Sequence, residues 1–491
     1  MLKPNLKEAK KRTNEDINIL RSEYVIPDKV KNIGLNKKYY VKTYGCQMNE
    51  HDSEVIMAIL EDLKYTKTDD YLDADLIILN TCAIRENAHN KTFGMLGRIK
   101  HLKEEKKDLI VGLAGCMSQE ESVVDEILGK YKWMDFVFGT HNIHKLPQIL
   151  EEHLNSKKLE VNVLSNEGNV IEGLPTKRDS KIKAWVNIMY GCDKFCTYCI
   201  VPYTRGKQRS RLPRDIIEEV KNLKENGYKE VTLLGQNVNA YGKDFKDLDY
   251  KMENLLEDVA KTGIDRVRFV TSHPWDFTDS MIDVIQKYDN ICNYIHLPVQ
   301  SGSSRILKLM GRRYTKESYL ELYKKIREKL GESSSITTDI IVGFPGETSC
   351  DFEETLKLAH ECKYDSAFTF IYSPREGTPA AKMKDDVPIE EKNNRLHKLN
   401  EVINKYAKEA NLRLVGKTVK VLLENVSEKD ENMLAGYTDT MKLVNVKADK
   451  SYIGKIVDVK ITDAKTWSLD GEINEWDKRW NWPFIFWYKD V

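Results

Sequence analysis

Six strand-like apolar runs, separated by helix-length amphipathic stretches, constrain the fold of the central part of this chain. The runs cover residues 184–189, 230–234, 266–270, 294–298, 337–342 and 367–372. Strands that are joined through helices pair in parallel by right-handed crossovers. Six βα units in succession therefore predict an incomplete parallel (β/α)6 barrel, which we place at residues 182–412.

The same alternation occurs earlier in the chain and predicts a separate domain. Strand-like runs at 39–44, 75–80 and 109–114 are each followed by an amphipathic stretch of helix length. We therefore predict an N-terminal α/β domain with a parallel sheet over 37–154. The polar, Lys-rich segment 1–36 is predicted to be a helical or loosely ordered extension without chemistry, and 155–181 is predicted to be a linker.

The C-terminal part has a different pattern, with short β-rich runs at 417–423 and 452–461 after a charged helix near 386–412. This pattern predicts a small β-barrel over 413–475. The chain is thus expected to be an α/β multidomain protein. The aromatic-rich tail 476–491 is expected to pack back onto the protein, with an RNA or partner contact as the alternative, because exposed aromatic patches often mark interfaces.

Composition restricts the compartment and the partners. The charged N-terminus lacks the apolar segment of a secretory signal, and no uncharged run approaches the roughly 18 apolar residues of a membrane span. Nine scattered cysteines are typical of a reducing compartment, so a cytoplasmic location is expected, with no membrane partner. Lys plus Arg and Asp plus Glu both number 77, so a polyanion could be held only by a local basic patch.

The strongest chemical signal is the C-x3-C-x2-C run formed by Cys192, Cys196 and Cys199, directly after the first barrel strand. Thiolates are the usual protein ligands of a 4Fe-4S cluster, and three of them leave one iron open for a substrate. The alternative, a structural zinc site, would normally bring a fourth Cys or His at matching spacing. The nearest histidines are distant in sequence, so the cluster is favoured.

Three further cysteines, Cys46, Cys82 and Cys116, follow the three N-terminal strand runs at the same offset. Ligands bind outside the carboxyl ends of parallel strands, so these thiols could share one cluster. A single buried cysteine is more simply a packing residue, and that is how we interpret Cys292, Cys350 and Cys362. The common placement of the first three favours a second cluster.

With these residues in view, the chain resembles the radical-SAM superfamily and, over about 38–475, its methylthiotransferase family. Three segments resemble the branch that modifies N6-isopentenyladenosine at position 37 of tRNA. They read TYGCQMNEHDSE at 43–54, LNTCAIR at 79–85 and AKTWSLDGE at 464–472. Residues 413–475 resemble the RNA-binding TRAM domain.

The resemblance implies the cofactors, which are two 4Fe-4S clusters and S-adenosylmethionine. It also implies that Gly-rich or polar segments at the barrel strand ends hold S-adenosylmethionine. The candidate residues are Gln236, Asn237, Asn239, Gln300, Ser301, Gly343, Gly346 and Glu347. The alternative is that Gly and Pro merely form tight turns there, and four such segments in barrel order make it less favoured.

The reaction implied by the resemblance is methylthiolation of carbon 2 of N6-isopentenyladenosine, with cluster-driven radical chemistry and no catalytic His or carboxylate. Alternative substrates, from sister branches, are N6-threonylcarbamoyladenosine in tRNA and an aspartate of a ribosomal protein. A hypothesis of another class is a non-catalytic RNA-binding iron-sulfur sensor, which would bind tRNA without cleaving S-adenosylmethionine.

The expected partners are tRNA containing N6-isopentenyladenosine and a reducing electron donor such as flavodoxin or ferredoxin, and the chain is expected to be a monomer. Candidate RNA contacts are Arg205, Lys207 and Arg209 in a basic stretch after the first cysteine loop, together with Lys442 in the presumed RNA-facing strand 436–445. Phosphate contacts would position the RNA. The alternative for the basic stretch is a solvated loop.

Overall fold

The computed structural model describes residues 2–11, 19–21, 24–84, 86–165 and 169–474. The predicted aromatic tail 476–491 lies outside the described residues, so the prediction for it stays as made. Within the described part of the chain, none of the helices combines the length and the apolar character that crossing a bilayer requires.

The N-terminal domain is built on a six-stranded sheet in which every neighbouring pair of strands is parallel. The strands, in spatial order, are Thr66–Lys67, Lys38–Tyr44, Leu76–Thr81, Ile110–Gly115, Phe136–Phe138 and Glu160–Asn162. The helices are Gln47–Asp62, Glu86–Glu105, Glu121–Lys130 and Leu146–Ser156. The two long strands in the middle are buried along their whole length, as expected when helices cover both faces of a parallel sheet.

Two flanking segments contain short strands that the sequence pattern does not indicate. The predicted linker 155–181 contributes Glu160–Asn162 to the sheet, and its strand Val170–Glu172 pairs in parallel with Ile19–Arg21 of the N-terminal extension. The extension also contains the helix Leu6–Lys11, and the Leu2 amide donates to the Val161 carbonyl at 2.7 Å. Strands of three residues are too short to show a period, which is why the sequence pattern misses them.

The central domain contains the six predicted barrel strands, which confirms the fold class. The strands are Lys183–Asn187, Glu230–Leu234, Arg266–Phe269, Tyr294–His296, Ser335–Val342 and Ser366–Ile371. They form two parallel sheets of three strands each, and a parallel bridge from Val267 to Ile291 lies near the junction. The arrangement is an open, incomplete barrel.

Helices connect and flank the strands of the central domain. They are Val201–Thr204, Pro213–Glu225, Met252–Lys261, Asp279–Lys287, Ser304–Leu309, Lys316–Leu330, Ser349–Cys362 and Ile389–Leu412. Pro213–Glu225 shows why they form: proline occupies its first turn, where no amide donor is needed. Ile216, Val220 and Leu223 then recur at helical spacing and are buried against the strands.

The C-terminal domain is a closed five-stranded barrel. Its strands are Thr418–Ser427, Asp430–Thr438, Leu443–Val446, Ile456–Ala464 and Leu469–Ile473. Two arginines of the central barrel attach to it. Arg266 donates to the Tyr437 and Lys420 carbonyls at 2.8 and 2.9 Å, and Arg268 donates to the Asp439 carbonyl at 2.8 Å. The small barrel therefore docks at the end of the central barrel where Arg266 begins its strand.

We predict that Arg268→Ala lowers the free energy of unfolding by about 3 kcal/mol, because it removes the closest partner of the buried Glu230 carboxylate. Both guanidinium nitrogens involved lie within 3.1 Å of that carboxylate. Urea denaturation followed by circular dichroism measures the change. As a control, Lys261→Ala removes an exposed ion pair and is expected to leave the unfolding midpoint close to that of the wild type, because such pairs contribute little. Equal midpoints for the two variants would contradict the prediction.

Candidate iron-sulfur and S-adenosylmethionine site

The ends of three parallel strands bring Cys46, Cys82 and Cys116 to one edge of the N-terminal sheet. Tyr44 is in register with Thr81, and Thr81 is in register with Gly115, so each strand ends at the same level. The Cys82 amide donates to the Tyr44 carbonyl at 2.9 Å, which holds the first two cysteine segments together. The cysteines that the sequence scatters over 71 positions are therefore adjacent in space.

Asparagine side chains fix the loops that carry these thiols. The Asn49 amide donates to the Asn80 side chain and to the Thr81 carbonyl at 3.2 and 3.3 Å. The side-chain amide of Asn80 in turn donates to the backbone carbonyl of Asn49 at 2.8 Å. Gly115 has φ of 96°, and a side chain there would collide with Asn80 and Thr81. The loops are thus held in place by the chain itself.

The thiols of the N-terminal triad interact with one another. A hydrogen bond with Cys82 lowers the pKa of the Cys46 thiol despite burial, and the positive charge of Arg205 acts in the same direction. The same hydrogen bond, together with burial, raises the pKa of Cys82. Burial raises the pKa of Cys116 to about 11. Cys46 is therefore the thiol of this triad that ionises first.

Cys192, Cys196 and Cys199 lie on a loop after the short strand Met189–Tyr190. The Cys192 amide donates to the Gly206 carbonyl at 3.1 Å, and the Cys199 amide donates to the Cys196 carbonyl at 3.0 Å. Gly191, with φ of 72°, permits this turn, because a Cβ there would lie 2.1 Å from the Lys207 carbonyl oxygen. Burial raises the pKa of the Cys192 thiol to about 11.

Each triad receives a buried arginine. Arg205 donates its Nε–H to the Cys116 sulfur at 3.0 Å, and Arg312 lies with Nη1 at 3.5 Å from the Cys196 sulfur. Arg312 is anchored by the Pro298 carbonyl at 2.9 Å. No sequence pattern singles out Arg312. Arg205 was selected from sequence for RNA contact, and its place beside a cysteine depends on the tertiary fold.

The donor set at each site is three cysteine thiols, which is the usual ligand chemistry of a 4Fe-4S cluster. Among the described residues, no three His, Cys, Asp or Glu side chains converge closely enough to hold one ion. The residues present thus fit the implied clusters in their chemistry, and the preference for a cluster over zinc stays a prediction from the cysteine spacing.

Three buried polar atoms at the barrel strand ends have no hydrogen-bond partner among the described residues. They are Gln236 Oε1, Asn237 Oδ1 and Ser272 Oγ. Buried polar groups are nearly always satisfied, so these atoms suit a ligand that carries donors, such as the ammonium and hydroxyl groups of S-adenosylmethionine.

Other predicted S-adenosylmethionine residues are occupied by the protein. The Asn239 amide group both donates to and accepts from the His273 backbone at 2.8 Å. The Ser301 hydroxyl lies 3.4 Å from that of Thr355 and accepts from the Ser303 amide. These side chains therefore tie strand-end loops together.

Gln300 and the Gly343–Glu347 loop shape the same rim. Gln300 has φ of 75° and exchanges backbone hydrogen bonds with Asp339 and Ile341. The Glu347 carboxylate accepts from the amides of Gly343 and Phe344. Burial raises its pKa while Arg395 opposes the shift.

Gly343 and Gly346 have positive φ, of 69° and 80°. At Gly343 a side chain would also collide with Lys392. The backbone amide of Gly346 donates to Asp386 at 2.8 Å. The two glycines are therefore required by the turn, whatever ligand the loop faces.

An acidic residue that the sequence analysis missed lies beside the second cysteine loop. Asp276 is almost completely buried and accepts hydrogen bonds from Lys194, Lys243 and Asn237. Burial acts to raise its pKa, but these hydrogen bonds outweigh it and hold the pKa below its usual value. Asp276 thereby fixes Lys194, two residues after Cys192.

The chain segments that carry the two triads meet at the boundary between the first two domains. The helix Val201–Thr204, which follows Cys199, packs against the turn Cys116–Gln119, and Ile200 contacts Cys116 and Ala83. His51 Nδ1 accepts from the Asn187 amide at 2.9 Å. Burial lowers the pKa of His51 to about 3, so this ring is a neutral part of the interface.

Comparison with known proteins identifies the family. Residues 38–139 match "Uncharacterized protein family UPF0004", 186–359 match the "Radical SAM superfamily" and 412–473 match the "TRAM domain". A tRNA-2-methylthio-N(6)-dimethylallyladenosine synthase of Bacillus cytotoxicus is 58% identical over 472 residues, covering 96% of this chain and 92% of the relative. The chain belongs to this synthase family.

A Staphylococcus epidermidis synthase of the same name is also 58% identical, over 468 residues that cover 95% of this chain and 91% of the relative. Among solved structures, the radical S-adenosylmethionine methyltransferase TsrM from Kitasatospora setae matches with a TM-score of 0.51 and 13% identity. The match covers 70% of this chain and 77% of TsrM. This likeness shows a shared fold alone.

In this member of the synthase family, two of the four predicted RNA contacts are buried. Arg205 and Arg209 are 4% and 5% exposed, and Arg209 donates to the Arg205 carbonyl at 3.0 Å. Lys442 is half-buried and pairs with Asp365 of the central domain at 3.3 Å. These three cations therefore have partners within the protein. Lys207 is partly exposed and stays a candidate.

We predict that, in the metal-free reduced protein, Cys46 is alkylated by iodoacetamide with a midpoint below the usual thiol pKa of about 8.5. Thiolates are the reactive form, and the hydrogen bond from Cys82 stabilises that form of Cys46. Mass spectrometry of peptides after alkylation over a range of pH gives the midpoint. In Cys82→Ala the midpoint should rise, whereas Cys292→Ala should leave it in place. An unchanged midpoint in Cys82→Ala would contradict the described hydrogen bond.

Proposed function

We propose that this chain catalyses radical-SAM methylthiolation of carbon 2 of N6-isopentenyladenosine, also called N6-dimethylallyladenosine, at position 37 of tRNA. The product is 2-methylthio-N6-isopentenyladenosine. The observation that carries the proposal is 58% identity over 96% of the chain to relatives named for this synthesis. Two cysteine triads, carried by segments that meet at one domain boundary, support it. The sister substrates lack a comparable observation in their favour.

The cofactors are two 4Fe-4S clusters and S-adenosylmethionine. We assign one cluster to Cys192, Cys196 and Cys199, and the other to Cys46, Cys82 and Cys116. When bound, these groups supply the radical that removes the hydrogen at carbon 2 and the methylthio group that replaces it. The assignment rests on the position of both sets of thiols in loops after strands and on the backbone hydrogen bonds that hold these loops.

The contribution of the protein side chains is positioning and exclusion of water. Cys82, Cys116, Cys192 and Cys196 are each less than 9% exposed, so the sulfurs lie in a region of low dielectric. Gln236 and Asn237 present unpaired acceptors at the barrel rim, and we assign them to S-adenosylmethionine. Asn239, Ser301, Gly343 and Glu347 shape the loops around it.

The inner face of the barrel offers an apolar surface for the branched hydrocarbon group of the substrate. In the last strand, Ser366–Ile371, the Thr369 hydroxyl donates to Asn400 of the outer helix. Phe368 and Phe370 therefore point to the opposite, inner side, where they are 54% and 40% exposed. Large apolar side chains left open at a site favour an apolar ligand.

A polar pair lies beside this apolar surface. His296 Nε2 and Asp339 Oδ1 are 3.0 Å apart, and His296 Nδ1 accepts from the Thr271 amide at 3.2 Å. The His296 ring meets Phe368 edge to face, with centroids 6.5 Å apart. An adenine with an N6 alkyl group combines a polar edge with an apolar branch, and this wall presents both kinds of surface.

For the RNA, we propose that Lys207 contacts the phosphate backbone near the cysteine loop. The family name of the relatives supports tRNA as the substrate.

We further propose that flavodoxin or ferredoxin supplies the electrons. We also propose that the protein acts as a monomer and that it works in the cytoplasm, where tRNA is available.

We predict that the reconstituted protein, supplied with S-adenosylmethionine, a reductant and isopentenyladenosine-containing tRNA, forms 2-methylthio-N6-isopentenyladenosine. Cys82→Ala should lose this product and still form 5'-deoxyadenosine, because the substitution removes a ligand of the N-terminal cluster only. Cys196→Ala should lose both. Cys350→Ala, at an exposed cysteine outside both triads, is the matched control. Nucleosides are assayed by mass spectrometry after digestion.

Formation of 5'-deoxyadenosine without the methylthio product, in wild-type protein that carries both clusters, would redirect the substrate to a sister branch. Binding of tRNA without any cleavage of S-adenosylmethionine would favour the sensor hypothesis.

We also predict that Phe368→Ala and Phe370→Ala each raise the KM for isopentenylated tRNA at least about tenfold, since truncating an aromatic side chain removes apolar contact worth roughly 1.5–3 kcal/mol. Leu412→Ala removes an apolar side chain of similar exposure at the end of the outer helix and should leave KM unchanged. Steady-state kinetics measure the effect. An unchanged KM in both phenylalanine variants would place the hydrocarbon group elsewhere.

A further inference from the structure

Arg205 belongs to the central domain but places its guanidinium in the N-terminal domain. Its Nε–H donates to the Cys116 sulfur at 3.0 Å, and its Nη2 donates to Asp52 at 2.5 Å. The residue follows the loop of Cys192, Cys196 and Cys199 along the chain. One side chain therefore connects the segment that carries one triad to a sulfur of the other triad.

The contact is enclosed and held at both ends. Arg205 and Asp52 are each 4% exposed, and Cys116 is 5% exposed. The Arg205 amide donates to the Val201 carbonyl at 2.8 Å, and its own carbonyl accepts from Arg209 at 3.0 Å. In such a low-dielectric setting a charged donor is strong, and little reorganisation is needed to form its hydrogen bonds.

The geometry points to a role for Arg205 that goes beyond binding: we propose that it orients Cys116 as a ligand and raises the reduction potential of the cluster at Cys46, Cys82 and Cys116. Hydrogen bonds to ligand sulfurs are among the factors that set the potential of an iron-sulfur cluster. One-electron reduction adds negative charge, which a cationic donor stabilises. The inference rests on the proposed function, since it requires a cluster at this triad.

Asp52 gives the inference a second, opposite test. Its carboxylate fixes the far end of the guanidinium and adds a negative charge beside the site. Asp52→Asn keeps an oxygen that can accept from Arg205 but removes that charge, so the potential should rise. Substitutions of Arg205 should lower the potential, whereas Asp52→Asn should raise it. Damage to the interface alone would not produce shifts in opposite directions.

The experiment uses the full chain with Cys192, Cys196 and Cys199 changed to alanine, so that only the second cluster is present. Iron content is measured first, and the cluster is then reduced by dithionite in a redox titration monitored by electron paramagnetic resonance. Arg205→Gln is expected to lower the ratio of reduced to oxidised cluster about tenfold at a fixed potential, which is about 59 mV for one electron. Arg205→Lys, which keeps the charge without the planar fork, should recover part of the shift.

Arg211→Lys is the matched control. Arg211 is a buried arginine of the same segment, and its Nε and Nη1 pair with Glu172 and Glu219 at 2.7 and 2.8 Å. Its substitution disturbs a comparable ion-pair network and should leave the potential unchanged.

The outcomes separate the inference from the function on which it rests. The parent chain is the full chain in which only Cys192, Cys196 and Cys199 are changed to alanine. If it binds no iron at the remaining triad, the cluster assignment itself is contradicted. A parent chain with an intact cluster, whose potential Arg205→Gln leaves unmoved, overturns the inference and leaves the function standing. If Arg205→Gln cannot retain iron, Arg205→Lys and Asp52→Asn decide: unmoved potentials in both overturn the inference.

Discussion

Parallel pairing of strands that end at the same level is the constraint on which this structure depends. A strand end is a rigid place for a thiol, because backbone hydrogen bonds on both sides fix its position. Tyr44, Thr81 and Gly115 are in register, so the cysteines after them converge without any closeness in sequence. The central barrel uses the same principle at the carboxyl ends of its strands, where the loops after successive strands share hydrogen bonds.

Buried cations join the domains. Arg205 links the central and N-terminal domains through Cys116 and Asp52. Arg268 pairs with Glu230 of its own domain and donates to the Asp439 carbonyl of the small barrel. Each guanidinium has several donors in one plane, which satisfies acceptors from two domains at once. Removing one partner of such a network leaves a buried charge, so the domain arrangement is specified strongly.

The position of the small C-terminal barrel leaves the opposite rim of the central barrel open. Lys442 and Asp365 pair at the docked end, whereas Phe370 lies toward the other end of the last strand with a large exposed area. The same open edge that makes the central barrel incomplete thus exposes an apolar wall. A modified base carried by a large RNA needs such an opening, because it must enter from outside.

The sequence by itself determined the α/β alternation, the six barrel strands and the two groups of cysteines, because periodicity and spacing are local properties. It could not determine strands of two or three residues, such as Glu160–Asn162, which show no period.

Only the tertiary structure decided where the cations lie. Arg205 and Lys442 are predicted RNA contacts in the sequence, whereas the structure pairs Arg205 with Asp52 and Lys442 with Asp365, each in another domain. Likewise, Arg312 beside Cys196 and Asp276 beside the cysteine loop have no local signature. The physical reason is that burial and charge pairing arise from residues far apart in the chain, which meet only when parallel strands and docked domains bring them together.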